Sequence, residues 1–199
     1  MKKIRLLALS IAGVGAFLIG QALYIPAKAA LAQVLLERAW DRAQAGDKTA
    51  KPWPWADITP VAKIDIPKLD LRAVVLNNAS GEAMAFGPGR MAGTADIGSN
   101  GTSIVVAHRD THFRELGRLK PGDMIEATNA NGGRTEFRVV ETRIVHADAS
   151  GLDPHDGGPS GSRLALVTCY PFTGMFNSPL RYVVLADRQP GQTLARLGK

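Results

Sequence analysis

The chain contains a single cysteine, Cys169, in the stretch "RLALVTCYPF". A thiolate is a strong nucleophile. A free thiol near pKa 8.5 is only a few per cent ionised at neutral pH, so efficient attack calls for a cationic neighbour. Two residues could supply one. His108 directly follows the apolar run "IVVA", and Arg181 opens the run "LRYVVLA" 12 residues after Cys169. Period-two alternation places Ala165, Val167 and Cys169 on one face of a strand and Leu164, Leu166 and Thr168 on the other. If this strand and the one carrying Arg181 are antiparallel neighbours, the loop "YPFTGMFNSP" returns the chain so that Cys169 and Arg181 meet at one rim. Position alone leaves a second reading open, in which Cys169 is a small buried hydrophobe.

The other histidines carry less. His112 lies in the turn-like "THFREL", His146 ends the strand "TRIV", and His155 sits in the Gly/Pro-rich "DPHDGGP". Each reads as solvated or internally satisfied, and none has the spacing of a zinc site with a carboxylate.

The elements that must position these residues are short strands and turns. "VAKIDIP", "LRAVVL", "SIVVA", "MIEAT", "TEFRVVETRIV", "RLALVT" and "LRYVVLA" read as strands, with Asn-Gly marking a hairpin in "NANGG". One helical turn is expected from Ser80, stopped by Gly-Pro-Gly at 87–89. With 21 glycines, 12 prolines and no long helical period in this region, the chain reads as an all-β barrel or sandwich.

The N-terminus is different. Three basic residues precede about 20 mostly apolar ones, Leu6 to Ile25, the length needed to cross a bilayer. The basic cluster predicts a cytoplasmic N-terminus and an extracytoplasmic remainder. "AKA" at 27–29 offers a signal-peptide cleavage site, but the apolar stretch exceeds the usual 7–15 residues and favours an uncleaved anchor. The expected organisation is an anchor over 1–28, a juxtamembrane helix and Pro/Trp linker over 29–57, and a β-rich domain over 58–199. Trp53 and Trp55 could dock the linker or lie at the membrane interface. An exported chain with one cysteine has no internal disulfide.

The net charge of +6 is not a nucleic-acid signature. Lys2, Lys3, Arg5 and Lys28 supply four charges within the first 30 residues, and from Ile58 onward 16 basic residues face 14 acidic ones. A nucleic-acid-binding domain concentrates its basic charge on the fold.

Taken together, "VVAHRDTHFRELGRLKPGD", "LALVTCYPF" and "LRYVVLA", in the order His, Cys, Arg behind an N-terminal anchor, resemble a sortase, most closely the proteobacterial sortases. The resemblance runs from about Ile58 to Asp187. The family's Thr-Leu-x-Thr-Cys motif matches from Leu166 through Cys169, with Ala165 in place of its leading Thr and Ala107 where many members have Gly before the histidine. The resemblance implies a closed β-barrel of about eight strands with short helices behind a transmembrane helix. It also implies transpeptidation at a Leu-Pro-x-Thr-Gly-like signal on an exported protein, with an amine acceptor in the cell envelope and no cofactor. Cys169 would form the thioacyl-enzyme, His108 would move protons, Arg181 would hold the oxyanion or a signal carbonyl, and Thr168 would position substrate. The His-before-Cys order differs from papain-like peptidases, and the Ser-His-Gly-Cys signature of L,D-transpeptidases is absent. A hydrolase using the same three residues, and a non-catalytic membrane-anchored barrel that binds an envelope protein or peptidoglycan, remain the alternatives.

Overall fold

The computed structural model describes residues 2–173 and 178–190, with side chains from residue 13 onward except at 14, 16, 19 and 25. Among the described residues, eight strands follow a long N-terminal helix. They are β1 (Pro60–Ile66), β2 (Leu71–Leu76), β3 (Gly89–Arg90), β4 (Gly101–Val106), β5 (Met124–Asn129), β6 (Arg134–His146), β7 (Ser162–Cys169) and β8 (Leu180–Arg188). They close into a barrel in the order β1-β2-β3-β4-β7-β8-β6-β5, so the barrel expectation holds and the sandwich is excluded. β4 and β7 are parallel neighbours although 55 residues of chain separate them, while β7 and β8 pair antiparallel.

Alternation along each strand divides the apolar residues between two faces. Val105, Leu164, Leu166, Phe137, Val139, Val184 and Ala186 fill the interior. Phe113 and Phe137 are among its largest fully buried side chains, each worth about 1.5–3 kcal/mol of burial. Ile104, Ala165, Val167, Val183 and Leu185 form a second, outer cluster on β4, β7 and β8. The segment 147–161 lies over it through Leu152. That segment is fastened by Thr102 N–H donating to the Pro154 carbonyl (2.8 Å) and Gly101 N–H to Gly161 (2.9 Å). Arg163 adds ion pairs to Asp156 (2.8 Å) and Asp187 (2.7 Å).

The helical turn expected at Ser80 is α2 (Gly81–Met84), capped by the Ser80 hydroxyl accepting from Ala83 N–H at 3.1 Å. The Asn-Gly hairpin also forms, with the Asn129 Oδ1 accepting from the backbone N–H groups of Asn131 and Gly133.

The N-terminal helix α1 (Lys2–Gln44) runs without a break through the expected 28/29 boundary, with Pro26 inside it. Its C-terminal part is packed on the barrel: Leu36 and Trp40 meet Ile58, Val74, Leu76 and Ala83, and Glu37 pairs with Lys63 at 2.7 Å. The linker is thus fixed to the barrel. Trp53 docks edge-on against Phe86 with ring centroids 5.1 Å apart, whereas Trp55 is 80% exposed. Among the described residues no helix is long and apolar enough to cross a membrane. The transmembrane helix expected over 1–28 falls largely on residues whose side chains lie outside those described.

Candidate active site

β7 supplies the centre of the site. Cys169 is its last residue and is half-buried. On one side, the antiparallel register pairs Cys169 with Arg181 at the start of β8. On the other, the parallel register of β4 ends at Val106 opposite Val167. It is continued by Ala107 N–H donating to the Val167 carbonyl at 3.2 Å. β4 thus leads through Ala107 into His108 beside the end of β7 that carries Cys169. Strands lie about 4.8 Å apart, so the sulfur's strand has the imidazole's chain on one flank and the guanidinium's on the other. All three strand ends continue the outer-cluster face, beside the half-buried Val106 and Val145.

The alternation read from "RLALVTC" separates Cys169 from Thr168, and the fold shows which side is which. Thr168 points inward, is 1% exposed, and donates its hydroxyl to the Ala107 carbonyl at 2.7 Å. Its hydroxyl joins the β4 and β7 ends from within. The expected substrate contact is not what this side chain does here, because burial and the Ala107 bond already occupy it.

Arg181 is held by its own loop. Its Nη1 donates to the carbonyls of Ser178 (2.8 Å) and Leu180 (2.9 Å), which uses both Nη1 hydrogens. Among the described residues its Nε–H and Nη2 donors have no partner. Tyr170, Phe172 and Tyr182 form a ring cluster at the same rim, with Phe172 and Tyr182 centroids 5.2 Å apart.

His112 departs from its sequence reading. It is half-buried, and its Nδ1 is buried with no hydrogen-bond partner among the described residues. Burial first, and then the neighbouring His108, hold its imidazole below the ordinary histidine range, about 6.5. The unfolded chain therefore binds the His112 proton more readily than the folded chain. Stability from this group is complete above about pH 6.5 and is lost as pH falls toward the lower folded-state pKa. The melting temperature of the wild type is expected to drop more steeply below that pH than that of His112→Asn. Equal slopes would remove His112 from the acid response. By contrast, His146 and His155 are exposed, and His146 pairs with Asp148 at 3.5 Å. Among the described residues no cluster of His, Cys, Asp or Glu could hold a metal.

Sequence reasoning passed over Arg109 and the ring cluster. "AHRD" places Arg109 beside His108, but nothing in the spacing shows what its guanidinium would reach.

The chain has relatives among known proteins. The profile of the Sortase domain family matches residues 64–189. Sortase D of Bacillus subtilis (strain 168) is 29% identical over 127 residues, 63% of this chain, and the chain spans 62% of that protein's length. Among solved structures, sortase A from Corynebacterium diphtheriae superposes with a TM-score of 0.59 at 20% identity, covering 82% of this chain and 86% of that one. A Clostridium perfringens sortase D5 transpeptidase gives 0.57 at 19% identity, covering 77% and 88%. The catalytic domain of B. anthracis SrtD gives 0.55 at 25% identity, covering 72% and 97%.

Proposed function

The chain belongs to the sortase family, and from that premise we propose that it is a membrane-anchored cysteine transpeptidase. In this reading it cleaves a Leu-Pro-x-Thr-Gly-like signal near the C-terminus of an exported protein. One observation carries the proposal: Cys169 ends β7 in register with Arg181 on one flank, and β4, which leads into His108, pairs with β7 on the other.

The steps follow from that arrangement. The Cys169 sulfur attacks the carbonyl carbon of the Thr-Gly bond, and the carbonyl oxygen takes up negative charge. Arg181 cannot lose its proton under these conditions, so it serves to hold that oxyanion rather than to transfer a proton. As the tetrahedral intermediate collapses, the C–N bond breaks and the imidazolium of His108 gives its proton to the departing amine, leaving a thioester on Sγ. An incoming amine then attacks the thioester carbonyl. It passes its proton to the now neutral His108 and expels the Cys169 thiolate, and a new amide bond is made.

The rest of the chain is read to fit. The basic cluster and apolar stretch at the N-terminus support a single-pass anchor with the barrel on the extracytoplasmic side. In that reading α1 carries the chain from the bilayer into the part packed on the barrel. The motif wording supports placement with the proteobacterial sortases.

The test is incubation of the purified protein with a Leu-Pro-Ala-Thr-Gly-containing peptide and excess triglycine, followed by mass spectrometry. The expected product joins the peptide, cut after Thr, to triglycine. A free-acid product alone would assign a hydrolase. No cleavage and no adduct on Cys169 would overturn the transpeptidase reading.

A further inference from the structure

His108 leaves the end of β4 on a loop, and catalysis needs its ring held against Cys169. The structure fastens its neighbours on both sides. Before it, Ala107 N–H donates to the Val167 carbonyl (3.2 Å), and the Ala107 carbonyl accepts from Thr168 Oγ1 (2.7 Å). After it, Arg109 Nη1 donates to the carbonyl of Pro171 at 2.7 Å, across 62 residues of chain. The loop then folds back, with the N–H groups of Thr111 (3.4 Å) and Phe113 (3.1 Å) returning to the His108 carbonyl. Phe113 is buried in the barrel interior, 1% exposed. Further on, Gly117 lies so close to Phe172 that a Cβ there would come within 2.7 Å of the ring.

These contacts join the segment bearing His108 to the segment bearing Cys169, and the bonds flanking His108 use neither reacting side chain. The inner tie, through Thr168, is sealed in the barrel. Among the described residues, the outer hydrogen bond is the one from Arg109 to Pro171. We propose that Arg109 is a positioning residue of the active site, whose bond to the Pro171 carbonyl sets the separation of His108 from Cys169. This rests on the transpeptidase reading for its catalytic consequence, though not for its effect on the loop. A guanidinium is well matched to such a bond, since it is charged at every working pH and its planar fork is already organised to meet a carbonyl. A displacement of about 1 Å at a reacting group can cost about 100-fold in rate.

The experiment compares wild type with Arg109→Ala and Arg109→Lys by steady-state turnover of the signal peptide and by NMR order parameters of the 108–112 amides. Arg109→Ala is expected to lower kcat by about 10- to 100-fold with KM within about twofold, and to lower the order parameters. Arg109→Lys, which retains a donor at the end of a long stem, is expected to recover most of both. An unchanged kcat in Arg109→Ala would overturn the proposal. So would a rise in KM alone, which would make Arg109 a substrate contact. If the wild type itself neither cleaves nor acylates, the transpeptidase reading fails. The NMR comparison then decides the brace by itself, with unchanged amides counting against it.

Discussion

Cys169→Ala is expected to abolish thioester formation and to lower peptide turnover by about 10,000-fold or more, the scale seen when a covalent nucleophile is removed. The magnitude follows from chemistry with no substitute: the chain has one cysteine. The adjacent hydroxyl, that of Thr168, cannot replace it, because it is buried and bonded to Ala107. The fold should survive. Cys169 is half-buried at a strand end rather than packed in either core cluster, so truncating it opens no cavity of consequence. Intact-protein mass spectrometry after incubation with the peptide reads the adduct, and circular dichroism reads the fold. A folded variant that still cleaves at the wild-type rate would assign the nucleophile elsewhere.

Arg181→Ala is expected to cost about 100- to 1,000-fold in kcat, or about 2.7–4 kcal/mol, as for the loss of one oxyanion donor. The geometry makes the lysine variant informative as well. In the wild type Nη1 is spent on the Ser178 and Leu180 carbonyls, which orients the plane so that Nε and Nη2 can act on the developing charge. An ammonium has one nitrogen and cannot hold the loop and the oxyanion through separate ends of a rigid fork. Arg181→Lys should therefore remain down by about 100-fold despite keeping its charge. Steady-state kcat measured beside KM checks this. A lysine variant with wild-type kcat would reduce Arg181 to a source of positive charge.

Much of this site is legible along the chain. The order His, Cys, Arg and the identity of the three residues come directly from "VVAHRD", "LALVTCYPF" and "LRYVVLA". Local alternation also separates Cys169 from Thr168, because successive side chains of a strand point to opposite faces. The turn at Ser80 and the Asn-Gly hairpin are local too, and both form as their residue types require.

The order of residues thus carries the candidate chemistry and the local geometry: which side chains are proposed to react, which of them share a face, and roughly where strands begin and end. Long-range packing alone puts the face of Cys169 on the outside of the barrel and so seals Thr168 within it. Period two states that two faces exist but not which one the barrel encloses, since both carry apolar residues here. The adjacency of β4 and β7, the docking of Trp53, Ala56 and Ile58 on the barrel, the approach of His112 to His108 and the bond from Arg109 to Pro171 belong to the same class. Each joins residues near in space through the closure of the sheet, and closure depends on the order in which all eight strands pair, which no single segment encodes.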